Sequence, residues 1–89
     1  MNVDTRPQYA KGVKLRHEGD GSAMLLVPEG ALELNQAAAA ALDLVDGSRS
    51  LDDIVAAIVA RFEVSRERAQ LDVTDLLERL NARGFIILR

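Results

Sequence analysis

Few residues of this chain have side chains suited to catalysis or metal binding. His17 is the only histidine, there is no cysteine, and no carboxylate stands at ligand spacing from it, so the sequence offers no set of zinc ligands. The adjacent acids Asp52 and Asp53 could serve as general acid and base. They fall, however, in the predicted first turn of a helix, where carboxylates stabilise the positive end of the helix dipole. The sequence therefore predicts no catalytic, metal or cofactor site, and we expect a binding protein rather than an enzyme.

The length and composition indicate one small domain. A chain of 89 residues can bury a single core. Residues 1–10 are polar, lack periodicity and contain Pro7, so we expect a flexible N-terminal arm followed by one domain over residues 11–89. No stretch has the length of a signal peptide core or a membrane span. Together with the absence of cysteine, this predicts a cytoplasmic protein with no membrane partner.

Charge is unevenly distributed along the chain, although the net charge is only −3. Residues 1–16 contain four bases and one acid, whereas residues 17–60 contain one base and eight acids. Proteins that bind the nucleic acid backbone use clustered Lys and Arg, which release counterions from the phosphates. The acidic middle of the chain therefore argues against a nucleic acid partner.

The first third of the chain has the alternation and turn residues of β-structure. Val13–His17 and Ala23–Val27 are predicted strands joined by a turn rich in glycine and acids. Pro28 ends the second strand, and Ala31–Leu34 forms a short third strand with its two leucines on one face and Glu33 on the other. Such a short strand is expected at the edge of a sheet.

From Asn35 onward the apolar period becomes helical. Asn35 is a predicted cap for an alanine-rich helix that Asp46–Gly47 ends. Ser50–Phe62 begins with a capping-box pattern and carries a continuous apolar stripe, and Ser65 caps a third helix that ends at Gly84. The predicted fold class is thus α+β, an N-terminal three-stranded antiparallel sheet followed by a three-helix bundle.

Two general functions remain compatible with this pattern. The last two helices have the spacing of a helix-turn-helix, so a winged-helix DNA-binding regulator is one alternative. In such regulators the hairpin follows the recognition helix and that helix has a basic face, whereas here the hairpin comes first and the third helix has mixed charge. A small adaptor or oligomerisation module is the other alternative.

The ordered set of local motifs resembles a known family. The motifs are Leu26–Glu29, Leu32–Asn35, Leu44–Gly47, the helix Ser50–Phe62, and Asp72–Val73 with Leu76, Leu77 and Leu80. Across residues 13–86 they are similar to pyrroloquinoline quinone (PQQ) biosynthesis protein D. The resemblance implies a winged-helix-like peptide chaperone, which binds a ribosomally made precursor peptide and presents it to a radical S-adenosylmethionine (SAM) enzyme that crosslinks a Glu to a Tyr. A recognition element of another ribosomal peptide (RiPP) pathway stays open.

The same resemblance implies where the peptide binds. It would add a strand beside the third strand and lie against the third helix, which agrees with the unpaired N–H and C=O groups of an edge strand. The expected peptide-binding residues are Ala31, Leu32, Glu33, Leu34, Arg68, Leu71, Asp72 and Asp75. Helical period places Leu71 opposite the buried stripe that is centred on Ala69, so its side chain is expected to be exposed. For the four helix residues, an ordinary solvated face is the alternative. Because an exposed edge can also pair with a second copy, we expect a monomer or a weak homodimer.

Overall fold

The computed structural model, which covers all 89 residues, contains five strands and three helices. In chain order they are β1 (Pro7–Tyr9), β2 (Lys14–His17), β3 (Ala23–Val27), β4 (Gly30–Leu34), α1 (Gln36–Leu42), α2 (Leu51–Phe62), α3 (Arg66–Ala82) and β5 (Ile86–Leu88). Strands β2, β3 and β4 form an antiparallel sheet in that order, and β1 pairs with β5 in a second sheet. The predicted α+β class is confirmed, whereas the two-stranded sheet was not predicted.

Each helix begins at the residue that the sequence predicts as its cap. The Asn35 side chain accepts a hydrogen bond from the Ala38 N–H at 2.8 Å, and Ser65 does the same for the third helix. Ser50 and Asp53 form a reciprocal capping box. The hydrogen bonds that Ser50 donates to Asp53, from its backbone N–H above all, lower the pKa of that carboxyl. The start of each helix is therefore determined by local sequence, because the cap and the group that it binds lie three residues apart.

The end of α1 differs from the prediction. The helix stops at Leu42 rather than at Asp46–Gly47, although Val45 beyond it is still buried. The Asp46 carboxylate accepts hydrogen bonds from the N–H groups of Ser48 and Arg49, and this compact turn competes with further helix. Val45, an apolar residue one turn beyond Leu42, was therefore wrongly assigned to the helix.

The core lies between the inner face of the larger sheet and the three helices. Ile54, Leu77 and Leu25 are fully buried there, contributed by α2, α3 and β3. Gly84, at φ 81°, ends α3 in a Schellman motif, because its N–H bonds to the Asn81 carbonyl while the Phe85 N–H bonds to the Leu80 carbonyl. This reversal directs the chain into β5. None of the helices has both the length and the apolar character to cross a bilayer.

The N-terminal segment is folded, so the prediction of a flexible arm over residues 1–10 is wrong. Pro7 is fully buried, and β1 is held by β5 from the other end of the chain. Residues Thr5 and Val3 accept hydrogen bonds from the N–H groups of Leu51 and Asp52, respectively. Those two N–H groups belong to the first turn of α2 and have no partner within the helix. The segment is thus ordered because it supplies the acceptors that a helix start requires.

Tyr9 fastens this segment to α1, and its titration should report the attachment. Its hydroxyl donates to the Leu42 carbonyl at 2.5 Å, and burial, reinforced by the Asp43 carboxylate, raises the pKa of Tyr9 to about 12. Because the neutral form is favoured in the folded state, its stabilising contribution is complete below pH 10 and is lost as the pH approaches 12. Tyr9 is the only tyrosine, so the ultraviolet absorbance of tyrosinate should titrate above 10 in folded protein and near 10 in urea.

The replacement Tyr9→Phe tests the same contact without the titration. It should lower the free energy of unfolding by about 1 kcal/mol, the net value of one hydrogen bond. An unchanged unfolding midpoint in urea, or a folded-state titration at the ordinary value, would show that the hydroxyl is solvated.

Candidate functional site

Strand β4 is an edge of the larger sheet, as predicted, because it pairs only with β3. Hydrogen bonding alternates along an antiparallel pair, so successive residues of β4 point their backbone groups toward β3 or away from it. The pair Val27↔Gly30 closes a two-residue turn and is therefore a hydrogen-bonded pair. Counting in twos from Gly30, residues Leu32 and Leu34 bond to β3.

The backbone groups of Ala31 and Glu33 consequently point outward. A second observation gives the same alternation, because the Glu18 N–H donates to the Ser22 carbonyl at 2.9 Å in the β2–β3 hairpin. Even-numbered residues of β3 thus bond toward β2 and odd-numbered ones toward β4. The side chains of Ala31 and Glu33 are exposed, whereas those of Leu32 and Leu34 are half-buried against the core. The edge therefore presents two N–H and two C=O groups to an added strand.

A groove of about 460 Å³ begins where β4 ends. It is lined by Asn35, the residue after β4, and by side chains of α1, α2 and α3. Two-thirds of the lining is apolar. The lining residues are Asn35, Ala37, Ala38, Ala41, Ile58, Phe62, Val64, Ala69, Asp72, Val73, Asp75, Leu76 and Arg79. The alanines of α1 leave this space open because a methyl side chain cannot span the distance between two packed helices.

Three charged side chains of α3 line the groove, and each of them belongs to an ion pair. Arg68 pairs with Asp72 and Arg79 pairs with Asp75, each with an N–O distance of 3.2 Å across one helical turn. All four side chains are well exposed, so each pair contributes well under 1 kcal/mol to stability. They can therefore rearrange around a ligand at little cost.

The expected site residues of α3 do not share one surface. Asp72 and Asp75 line the groove, and Arg68 reaches its rim only through Asp72. Leu71 is 62% exposed, as predicted, but it lies in a separate shallow depression with Glu67, Gln70 and Thr74. A peptide contact at Leu71 stays a prediction.

Sequence reasoning missed the part of the groove that other elements supply. Ala38 of α1, Ile58 and Phe62 of α2, and Val64 of the following turn were assigned only to the core or to the turn. The run of alanines was a signal, since it predicts close or incomplete packing. The pattern of one helix does not show which neighbouring element packs incompletely against it, so the groove could not be predicted from α1 alone.

The candidate residues for chemistry have structural partners. His17 lies 3.0 Å from the Asp43 carboxylate in an exposed pair, and Asp53 belongs to the capping box. Asp52 forms an ion pair with Arg66. No three His, Asp or Glu side chains converge as a metal site requires. The edge of β4 and the adjoining groove are therefore the features best suited to bind a ligand.

Comparison with known proteins assigns the family. The model of the family described as coenzyme PQQ synthesis protein D (PqqD) matches residues 22–86. The chain belongs to the PqqD family. Among curated PqqD-like relatives, the PqqA binding protein of Azotobacter vinelandii is 41% identical over 92% of this chain and 89% of its own length. The PqqA binding protein of Stutzerimonas stutzeri is 38% identical over 93% of this chain and 90% of its own length.

Solved structures show the same fold. The PqqD truncation of Methylobacterium extorquens PqqCD, described as a functional, stand-alone RiPP recognition element, superimposes with a TM-score of 0.77 at 26% identity, covering 91% of this chain and 87% of that one. TbiB1, solved in complex with the TbiA(beta) leader peptide, also gives a TM-score of 0.77, at 23% identity over 89% of this chain and 93% of its own. The winged-helix-like fold implied by the sequence resemblance is thus confirmed.

Proposed function

We propose that this PqqD-family chain is a peptide chaperone of PQQ biosynthesis. It binds the ribosomally made precursor peptide as an added strand beside β4 and presents it to a radical SAM enzyme. The observation that carries the proposal is the outward backbone of Ala31 and Glu33 next to an apolar groove. Relatives that bear the name PqqA binding protein support the choice of peptide. In this role the chain is an accessory protein without a catalytic step of its own.

The backbone and the groove contribute differently to recognition. Main-chain hydrogen bonds to an edge strand give affinity without regard to sequence, whereas pockets for side chains give specificity. Leu32 and Leu34 hold the strand to the core, and their neighbours Ala31 and Glu33 meet the peptide. An apolar peptide side chain then enters the groove, with Asp72 and Asp75 at its rim and Arg68 positioning Asp72.

The charge of α3 favours a peptide over DNA as the ligand. Its solvent face carries two acid–base pairs rather than a cluster of cations, and phosphate binding requires such a cluster. A peptide backbone is neutral, so a face of mixed charge does not repel it.

Titration of isotopically labelled protein with the precursor peptide tests the site. The amide signals of Ala31, Glu33, Asp72 and Asp75 should shift most, because these residues border the edge strand and the groove. A peptide of scrambled sequence should shift the β4 amides less at the same concentration, since it lacks the side chain that fits the groove. Shifts centred on the first turns of α2 would contradict this site.

A further inference from the structure

The outer face of the larger sheet is exposed and only partly polar. In this sheet Lys14, Leu26 and Ala31 lie side by side in one row. Arg16, Met24 and Glu33 form the next row. Met24 and Leu26 are half-buried, yet they do not pack against the core, so their cover comes from neighbours on the same face.

This face has a basic side. Lys14 and Arg16 both belong to β2, and both are exposed. Lys14 has no ion pair, and Arg16 forms an ion pair only with Glu18, at 3.0 Å. Such a pair contributes little and exchanges readily for another carboxylate. Two basic side chains therefore border an apolar centre on a chain whose net charge is negative.

The other side of the face is continuous with the proposed peptide site. Each row ends at Ala31 or Glu33, the two residues whose backbone groups point away from the sheet. A strand added there extends both rows, and its alternate side chains stand on the same face as Met24 and Leu26. A partner seated on this face would contact the protein and the bound peptide together.

We propose that this outer face, formed by Lys14, Arg16, Met24 and Leu26, is the docking surface for the enzyme that modifies the bound peptide. The complementary enzyme surface has acidic side chains opposite β2 and an apolar contact opposite the two central residues. The inference rests on the proposed function, since it assumes that a peptide strand lies beside β4. Because the peptide forms part of the same surface, enzyme and peptide bind with positive coupling, which is reciprocal.

The double variant Lys14→Glu/Arg16→Glu tests the surface. Its affinity for the radical SAM enzyme of the pathway, in the presence of saturating precursor peptide, should fall about tenfold or more, because two attractive contacts become repulsive. Its affinity for the peptide alone should change by less than about twofold, since neither side chain lies at the β4 edge. The control Arg83→Glu/Arg89→Glu makes the same change in net charge on other surfaces and should bind the enzyme as the parent does.

The variant Met24→Ser/Leu26→Ser tests the apolar centre and should weaken enzyme binding with little change in thermal stability, because neither side chain packs on the core. If the charge-reversed variant binds the enzyme as tightly as the parent, or if both charge variants lose affinity equally, the docking surface is wrong while peptide binding still stands. If the parent protein itself does not bind the precursor peptide, the proposed function is overturned instead. Sedimentation that shows a dimer, dissociated by the charge reversal, would assign the face to a second copy and also overturn the docking surface.

Discussion

Replacing Glu33 by proline should lower the affinity for the precursor peptide about tenfold or more while the domain remains folded. Proline removes the N–H of residue 33, which points away from β3, so no hydrogen bond within the protein is lost. The peptide carbonyl that would accept this N–H is left without a partner. An unmade hydrogen bond of this kind costs about 1–3 kcal/mol, and each 1.4 kcal/mol is a factor of ten in the dissociation constant.

Two matched variants separate the backbone from other causes. Glu33→Ala keeps the N–H and should retain most of the affinity. Leu32→Pro removes an N–H that bonds to β3, so it should lower the melting temperature, which Glu33→Pro should change little. Calorimetric titration and thermal melting measure both effects. If Glu33→Pro binds the peptide as tightly as the parent, the peptide does not extend β4.

Truncation of Leu77 to alanine should have the largest effect on stability. The side chain of Leu77, on α3, is fully buried in the core, and removing a buried leucine side chain leaves a cavity. Such changes cost about 2–5 kcal/mol, a large part of the 5–15 kcal/mol that stabilises a typical domain. Urea unfolding should show a lower midpoint with an unchanged slope.

Leu71 provides a control of the same residue type in the same helix. Its side chain is 62% exposed, so Leu71→Ala should change the free energy of unfolding by less than about 0.5 kcal/mol. The intrinsic helix propensity changes equally in both variants, and the difference between them therefore measures burial alone. Equal losses at the two positions would mean that α3 is rotated from the orientation described above.

The sequence predicted well the features that depend on neighbours along the chain. A cap such as Ser50 bonds to a group three residues away, so its signal is complete within one turn. The exposure of Leu71 followed likewise from helical period, because one buried stripe fixes the opposite face. The edge position of β4 followed from its short alternating pattern.

The prediction was wrong or incomplete where a partner comes from a distant part of the chain. Residues 1–10 have no periodicity, yet they are ordered by β5 and by the unpaired N–H groups at the start of α2. The end of α1 was misplaced because Val45 is apolar and buried without being helical. An apolar residue one turn beyond a helix gives the same sequence signal whether it belongs to the helix or is buried in the turn that follows.

The sequence by itself determined the fold class, the helix starts and the presence of a short third strand, since propensity, period and capping act locally. Only the tertiary structure decided which backbone groups of that strand are free, because hydrogen-bond alternation depends on register with β3. It also decided that the alanines of α1 line an open groove together with side chains of α2 and α3, which requires the packing of three helices. The candidate binding residues could thus be proposed from local patterns, but their orientation toward a ligand depends on contacts between distant segments.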